Sequence, residues 1–444
     1  MSFEIDNQTL RDLNIFPNKK KEQSIFDLFK QTKTVGGQNT LIRLMKNPLN
    51  NFEQLSERVE AIRYFQDNNI AFHFIDRNLE FIEHYLNLNM PVLRKGWIFA
   101  LSDWLSDVIL PTNEYFAIKR GLKFLQQFLL QLKIYIESIQ LTEYPEYFNS
   151  VINEFNLLNT SDLFKSFLAL SDKKINRLKS VNSFDNLIRK KSKDDLLKLI
   201  SKIYEIDSLR TVALVSKENN YCLPDYTQNN SSLLNIDNLF HPFVNEPITN
   251  SFSFNEQTNM CFLTGANMAG KSTFLKSVGL CCYLAHLGFP VPASKMETSI
   301  YSGLITAINL SDDVTKGYSH FYSEVKRVKN TAISIKEKKK ILVIFDELFR
   351  GTNVKDAYDA SLMITAAFAK IKHCAFFIST HIVEIAEELK NEDNIIFKYF
   401  ESEVVNEIPV YSYKLANGVS ADRHGLRIVK NEKIVEILEG IINE

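Results

Sequence analysis

The segment from residue 262 to 279 reads FLTGANMAGKSTFLKSVG and carries glycine, lysine and serine at a spacing suited to phosphate binding. Gly265 is followed by four residues and then by Gly270, Lys271 and Ser272, which matches the pattern G-x-x-x-x-G-K-[ST]. In such a loop, backbone N–H groups and a helix N-terminus surround phosphate oxygens, while the lysine reaches the terminal phosphates and the serine hydroxyl meets Mg²⁺. The spacing therefore predicts a site for a nucleotide with Mg²⁺, against the alternative of a chance match.

Two adjacent carboxylates form the second group of residues that suits chemistry. Asp346 and Glu347 directly follow the apolar run from 341 to 345, and α/β sheets hold ligands at the carboxyl ends of their strands. We expect Asp346 to hold the magnesium, directly or through water, and Glu347 to orient or deprotonate the attacking water. A positioned base of this kind is worth about 10²–10⁴ in rate. The alternative is an acidic pair that merely ends a strand.

A histidine follows the third apolar run, from 375 to 379, after Thr380. At that place His381 can sense the γ-phosphate or position water, although a lone histidine in such a position is more often structural. We therefore expect a catalytic contribution from His381 only together with the loop and the carboxylate pair.

The elements that must position these residues divide near residue 240. Before that point apolar residues recur at helical spacing, as in 55–65 and 196–212, and predict a mainly helical domain over 1–240. After it, short apolar runs at 260–264, 341–345 and 375–379 alternate with helical segments, which predicts an α/β nucleotide domain over 241–444. The phosphate loop then joins a buried strand to a helix over 273–287.

Composition restricts the class of protein only loosely. The 444 residues include 45% hydrophobic residues, enough for large cores, and the net charge of −1 means that a nucleic-acid partner would need a local basic surface. Four of the five cysteines lie in apolar runs without metal-ligand spacing, so we expect reduced core residues. The sequence contains neither a long apolar segment nor a signal-like N-terminus, which predicts a cytoplasmic protein without a membrane partner.

The ordered motifs resemble the MutS family of DNA mismatch repair ATPases. The loop over 265–273 is similar to that family's GPNMGGKST, and the segment 346–352 is similar to its DEIGRGT. Between them, Asp312-Asp313 and the run 317–324 resemble DD…GxSxFxxE, and Thr380-His381 resembles TH. Weaker similarity extends to the opening of the family's core domain, within residues 5–48. The resemblance thus covers most of the chain.

The resemblance implies a fold of class α plus α/β, with a helical core and lever domain followed by an ABC-type P-loop ATPase domain that has a central mixed sheet. It implies ATP and Mg²⁺ as ligands and a dimer with composite sites, in which Ser319 contacts γ-phosphate across the interface. The implied ligand-binding residues are those of the loop: Gly265, Asn267, Met268, Ala269, Gly270, Lys271, Ser272 and Thr273. Ser272 and Asp346 are the implied magnesium residues.

Departures from the family pattern bear on the ligand. The sequence starts at the core domain, so we expect it to lack the modules that read mismatches, and residues 150–195 look too short for a full clamp. From Asp172 to Lys202 there are ten Lys or Arg against four Asp or Glu, which indicates either a solvated helix face or a DNA contact. Phe349 replaces a usual glycine, and Ile248 lies where an adenine-stacking aromatic is expected.

These observations lead to a MutS-like, DNA-binding ATPase of the mismatch repair or recombination type, without intrinsic mismatch reading. It would bind and hydrolyse ATP as a homodimer to open and close its levers on duplex or branched DNA. The alternative is an ATP-gated scaffold that acts on a protein or RNA assembly. A transporter subunit is disfavoured, because the sequence shows neither an LSGGQ-like signature nor a membrane-partner motif.

Overall fold

The structure is a computed structural model that describes residues 3–17, 23–93, 113–170, 178–228, 232–266, 268–308, 320–349, 352–405 and 408–420. The chain forms two compact units. One consists of Met1–Leu28, Asn47–Val59 and Ser216–Glu444, and the other of Phe29–Lys46 and Glu60–Val215. Each unit is built from more than one segment of the chain, whereas the predicted division has a single boundary near residue 240. That boundary stays a prediction.

Helices dominate the first half of the chain. In chain order the described helices there are α1 (Asn7–Asp12), α2 (Ile25–Phe29), α3 (Val35–Lys46), α4 (Phe52–Asp67), α5 (Asp76–Leu86), α6 (Asn113–Gln140), a 3₁₀ turn (Glu146–Phe148), α7 (Asn149–Leu158), α8 (Asp162–Leu168), α9 (Leu178–Lys191) and α10 (Lys193–Glu218). The helical periodicity at 55–65 and 196–212 corresponds to α4 and α10. The mainly helical first half is therefore confirmed.

The helical unit has an aromatic core and buried polar pairs. Phe65 and Phe148 pack edge to face with ring centroids 5.5 Å apart. The Asp207 carboxylate accepts hydrogen bonds from the backbone of Lys33 and from the hydroxyl of Thr34, which fixes the entry to α3 against α10. Such satisfied buried groups specify one packing arrangement, because an unpaired partner would retain its desolvation cost.

The other unit contains two sheets. The described strands are β1 (Pro224–Thr227), β2 (Leu234–Leu239), β3 (Asn250–Phe254), β4 (Met260–Thr264), β5 (Lys295–Ser299), β6 (Gly303–Ala307), β7 (Ile341–Phe345), β8 (Ala375–Ser379), β9 (Ile395–Val405) and β10 (Ile408–Asn417). A four-stranded sheet has the order β1-β5-β2-β3, and a six-stranded sheet has the order β10-β9-β4-β8-β7-β6. The helices that accompany them are α11 (Lys271–Ala285), α12 (His320–Lys338), α13 (Val354–Ala369) and α14 (Glu384–Leu389).

The six-stranded sheet positions the candidate site. β6, β7, β8, β4 and β9 run parallel, and β10 pairs antiparallel with β9, so the sheet is mixed as predicted. Every residue of β4, β7 and β8 is buried, as the continuous apolar runs require when both faces of a sheet are covered. Their bounds match the three predicted strands. The carboxyl ends of β4, β7 and β8 therefore meet at one edge.

Two further expectations concern the cysteines and membranes. Cys261, Cys281, Cys282 and Cys374 are buried free cysteines, which confirms their expected core positions, whereas Cys222 is only partly buried. Burial raises the pKa of the Cys261 thiol to about 12. Within the described parts of the chain, every helix is too short or too polar to cross a membrane.

Candidate functional site

The phosphate loop joins the carboxyl end of β4 to the start of α11. Gly265 and Gly270 have φ angles of 133° and 106°, a region that side chains rarely adopt, which explains the two glycines of the pattern. Gly270 occupies the N-cap position of α11, so the first N–H groups of the helix point into the loop. Met268 is exposed, with a φ of 68°. Asn267, the remaining inner residue of the predicted loop, lies outside the described residues.

The Lys271 side chain is buried beneath its own loop. Its Nζ donates to the carbonyl oxygens of Gly265 and Ala266 at 2.8 and 3.0 Å. Burial lowers the pKa of Lys271, while the carboxylates of Glu347 and Asp346 act in the opposite direction. An anion that enters the loop can therefore take the place of the two carbonyl oxygens as hydrogen-bond acceptor of the ammonium group.

Asp346 binds to two hydroxyl groups from neighbouring elements. Ser272 Oγ, in the first turn of α11, donates to Asp346 Oδ2 at 2.5 Å. Ser379 Oγ, at the end of β8, donates to the other oxygen, Oδ1. The two predicted magnesium residues are thus in direct contact. The role of Ser379 was missed by the sequence reasoning, although its place at the end of an apolar run beside Thr380-His381 was the available signal.

Glu347 and His381 form the second polar pair at this edge. His381 Nε2 lies 2.5 Å from Glu347 Oε1, although the residues are 34 positions apart in the sequence. Glu347 adopts a φ of 56°, and its backbone N–H donates to the carbonyl oxygen and the hydroxyl of Ser379. This unusual backbone conformation turns the Glu347 carboxylate away from the line of β7. The structure thereby brings together the two residues that were predicted for water activation.

A cavity of about 540 Å³ opens beside the loop. Lys271, Ser272 and Glu347 line one part of it, and the segment 239–250 lines the other, together with Phe400 and Tyr413. Tyr413 has a φ of 55° at an irregularity in the pairing of β9 with β10, and the residue is 45% exposed. Asn250 donates to the Tyr413 carbonyl oxygen at 3.0 Å and fixes that turn. The cavity therefore extends from charged groups to an aromatic and apolar end.

The apolar end of the cavity contains the region around Ile248, where an aromatic side chain is expected. Ile248 lines the cavity, and an exposed aromatic side chain there comes from Tyr413, in β10. His241 also lines it, and burial lowers the pKa of His241 to about 4, with Lys276 acting in the same direction. The imidazole is therefore neutral at neutral pH.

The remaining predicted residues differ in what the structure shows of them. Ala269 and Thr273 lie in the loop and the first turn of α11, in line with the pattern, and Thr273 lines the cavity. Ser319 lies outside the described residues, one position before α12 begins at His320. Phe349 is buried, has a φ of 61°, and packs on Phe321 with ring centroids 5.7 Å apart. The side chain that replaces the usual glycine thus contacts the first turn of α12.

The structure describes residues 178–202 of the basic segment 172–202, and three of the cations there are paired with acidic side chains. Arg189 is buried and bonded to Asp185 at 2.7 Å, so it is not a surface group. Lys198 and Lys202 each lie within 3.8 Å of an acidic side chain on the same helix. Lys190 and Lys191 remain exposed at the end of α9, and residues 171–177 lie outside the described part. The described portion therefore favours a solvated helix face.

Comparison with known proteins agrees with this geometry. The family description MutS domain III matches residues 8–325, and MutS domain V matches residues 261–442. The DNA mismatch repair protein MutS of Petrotoga mobilis is 26% identical over 98% of this chain and 64% of its own length. Proteins of that name from Thermotoga sp. strain RQ2 and Anaplasma phagocytophilum are 30% and 31% identical over 57% and 51% of the chain.

The match is extensive for this chain but partial for its relatives. The chain spans less than two thirds of the length of these curated relatives, with 64%, 31% and 27% of their sequences covered. The two family descriptions together include the helical unit, the phosphate loop, the carboxylate pair and His381. On these grounds the chain belongs to the MutS family.

Proposed function

We propose that the chain binds and hydrolyses ATP at the cavity beside the phosphate loop. The observation that carries this proposal is the Asp346 carboxylate, joined to the Ser272 hydroxyl at 2.5 Å, with Glu347 next to it. A phosphate loop, a metal-binding pair and a water-activating carboxylate at one sheet edge suit the transfer of a γ-phosphoryl group to water. The match to MutS domain V supports the same class of reaction.

The residues present suit Mg²⁺ better than a metal that needs a protein cage. Ser272 and Asp346 offer oxygen donors, and within the described part of the chain no group of three or more His, Cys, Asp or Glu side chains is arranged to hold a metal ion. Mg²⁺ is usually held by one or two protein oxygens together with substrate phosphates and water. When bound with ATP, the ion stabilises the charge on the phosphate oxygens.

The chain's own groups then have separate tasks. Lys271 exchanges the carbonyl oxygens of Gly265 and Ala266 for phosphate oxygens. Glu347 orients the attacking water and accepts its proton, and His381 holds the Glu347 carboxylate in place. The adenine base occupies the apolar end of the cavity against Tyr413. The products are ADP and phosphate.

Phosphate release from ATP tests this function. The wild-type chain is expected to release phosphate only with Mg²⁺, whereas Lys271→Ala should fail because it loses the cation that binds the phosphates. Lys276→Ala removes a lysine of the same helix that does not line the cavity, and serves as the control. Equal activity of Lys271→Ala and wild type would contradict the proposed site.

We further propose that the active form is a homodimer in which Ser319 of one copy contacts the γ-phosphate bound by the other. The family resemblance supports this arrangement, since the segment 317–324 carries its signature. Mixing Lys271→Ala with Ser319→Ala subunits should restore part of the activity, because a mixed dimer contains one complete site. If both variants associate and the mixture stays inactive, the composite site is wrong.

ATP is proposed to switch the helical unit between open and closed states on duplex or branched DNA. The names of the relatives support DNA as the ligand, and exposed groups such as Lys190 and Lys191 suit phosphate contacts, which do not read sequence. Binding should therefore weaken steeply with salt, and matched and singly mismatched duplexes should differ by less than about threefold. A mismatch preference of tenfold or more would contradict this.

A second candidate, an ATP-gated scaffold for a protein or RNA assembly, is favoured by one observation. Arg189 is buried against Asp185, and Lys198 and Lys202 lie beside acidic side chains at the surface, which lowers the positive charge that these positions offer to DNA. Titration with labelled homoduplex, four-way DNA and single-stranded RNA, with and without ATP, separates the two. Binding of neither DNA form at low salt would favour the scaffold.

A further inference from the structure

β6 is the last strand of the six-stranded sheet, and its outer edge is capped by the N-terminal segment of the chain. The N–H groups of an edge strand that point outward come from every second residue. Here Leu304 donates to the Glu4 carbonyl oxygen at 2.8 Å, Thr306 donates to Thr9 Oγ1 at 3.1 Å, and Ile308 donates to Asp12 Oδ2 at 3.0 Å. The outward N–H groups of β6 are thus satisfied by one backbone acceptor and two side-chain acceptors, in place of a seventh strand.

Asp12 makes two contacts with the end of β6. Its side chain is buried, and Oδ2 accepts from both the Ile308 N–H and the Thr306 hydroxyl, at 3.0 and 2.7 Å. Gln8 donates to Oδ1 at 2.8 Å. The carboxylate therefore holds the residues on both sides of Ala307.

Ala307 connects this cap to the proposed magnesium site. Its carbonyl oxygen accepts a hydrogen bond from the backbone N–H of Asp346 at 3.0 Å, one position beyond the pairing of Ala307 with Phe345. The next N–H along, that of Glu347, is bound instead by Ser379 of β8. The backbone at Asp346 is thus fixed from β6, whereas the backbone at Glu347 is fixed from β8.

Arg327 strengthens the same connection from α12. Its guanidinium donates to the Thr306 carbonyl oxygen and pairs with the carboxylate of Asp6, the N-cap residue of α1. Thr306 is therefore held on its hydroxyl, its N–H and its carbonyl. The contacts of α1 and Arg327 therefore restrain the end of β6.

We propose that Asp12 is a positioning residue for Asp346, acting through Ala307. Asp12 does not touch the site; it fixes the strand end that fixes the Asp346 backbone and so keeps its carboxylate beside Ser272. The consequence for Mg²⁺ affinity rests on the proposed function, whereas the effect on the Asp346 backbone does not. Groups that orient a metal ligand from outside typically contribute about 10–100-fold in metal affinity or activity.

Three substitutions of Asp12 isolate the acceptor oxygen. Asp12→Ala removes it, Asp12→Leu removes it while filling the volume, and Asp12→Asn retains one oxygen that can accept from Thr306 and Ile308. Asp27→Ala is the matched control, because it removes an aspartate of the same N-terminal segment that bonds to Ser24 at the start of α2. All four variants should lose some thermal stability.

Amide hydrogen exchange of the peptide covering 341–349 tests the positioning itself, without any ligand. Exchange in this peptide should accelerate in Asp12→Ala and Asp12→Leu and stay near wild type in Asp12→Asn and Asp27→Ala. Mn²⁺ binding in the presence of ADP, followed by electron paramagnetic resonance, should weaken about 10-fold in the first two variants only. Nucleotide binding in EDTA should change less than about twofold, since the loop is untouched.

The outcomes separate this proposal from the proposed function. If Asp12→Ala leaves both the 341–349 exchange and the Mn²⁺ affinity at wild-type values while folded, or if Asp12→Asn behaves like Asp12→Ala, the positioning role is overturned. If wild type exchanges as expected but neither binds ADP nor releases phosphate, the proposed function fails, and faster exchange in Asp12→Ala still supports the positioning. If exchange of the 341–349 peptide accelerates as much in Asp27→Ala as in Asp12→Ala, Asp12 contributes only to the general stability of the fold, and the positioning role is wrong.

Discussion

The Nε2 atom of His381 lies 2.5 Å from Oε1 of Glu347, at the ends of two neighbouring parallel strands. This contact joins the candidate base to a side chain that can hold it in one orientation. The backbone of Glu347 is also fixed, because both the carbonyl and the hydroxyl of Ser379 accept from its N–H. A carboxylate held at both its backbone and its side chain is prepared for water without reorganisation.

Glu347→Gln should retain ATP binding and lose about 10²–10⁴ in turnover, because the amide keeps the shape but cannot accept the proton. His381→Ala should lower turnover less, since it removes only the group that orients the base. Single-turnover phosphate release, together with a fluorescent-nucleotide titration, measures both effects. Wild-type turnover in Glu347→Gln would assign the base to another residue.

Ser379→Ala should raise the Mg²⁺ concentration needed for half-maximal hydrolysis about 10-fold, because the Asp346 carboxylate loses one of its two hydroxyl donors. Ser299→Ala is the matched control, since Ser299 is likewise a buried serine that ends a strand, in the other sheet. Both variants should lose similar thermal stability. A Mg²⁺ midpoint that moves equally in the two would show that Ser379 acts only through the fold.

Tyr413→Ala should weaken the binding of ATP and ADP alike by about 1–3 kcal/mol, the usual value for an aromatic ring stacked on a base. Tyr411→Ala provides the comparison, because Tyr411 lies on the same strand, packs on Tyr413 and does not line the cavity. Inorganic triphosphate, which has no base, should bind both variants like wild type. Unchanged ATP affinity in Tyr413→Ala would place the base elsewhere.

The pH dependence of stability should reveal two histidines, the buried His286 and the partly buried His241. His286 donates through Nδ1 to the Cys282 carbonyl oxygen and accepts at Nε2 from the Tyr301 N–H, a pattern that requires a neutral ring. Burial lowers the pKa of His286, like that of His241, to about 4. Above pH 6.5, the pKa of histidine in the unfolded chain, the free energy of unfolding is not reduced by these two groups. It falls as the pH decreases from 6.5 to 4, because only the unfolded chain binds the protons in that range.

His286→Gln should flatten that fall without abolishing it, since His241 still titrates. Urea unfolding at several pH values between about 4 and 7 measures the slope. The idea fails if His286→Gln keeps the full wild-type slope.

The sequence was sufficient for the parts of the site that depend on local patterns. The buried strands β4, β7 and β8 are continuous apolar runs, and their ends carry the loop, the carboxylate pair and His381 in predictable places. Their meeting follows from parallel pairing. The contact of Ser272 with Asp346 could therefore be expected from spacing and topology alone.

Other features depend on contacts between distant parts of the chain, which periodicity does not encode. Asp12 and Thr306 are 294 positions apart, and only the folded edge of β6 brings them together. Tyr413 reaches the cavity because an irregular pairing gives it a positive φ. The sequence suggests that Arg189 is one of the surface cations, but in the structure it is buried in a pair with Asp185, one helical turn away.

The capped edge of β6 also determines where the chain can be cut. A fragment that begins at Ser216 retains both sheets but lacks Glu4, Thr9 and Asp12, so the N–H groups of Leu304, Thr306 and Ile308 would be exposed. An uncapped edge strand is a template for pairing with another copy of itself. The second half of the chain can therefore be cut out as a sequence, but it then loses the N-terminal residues that cover the edge of β6. We expect such a fragment to associate with itself unless the N-terminal segment is supplied as a separate peptide.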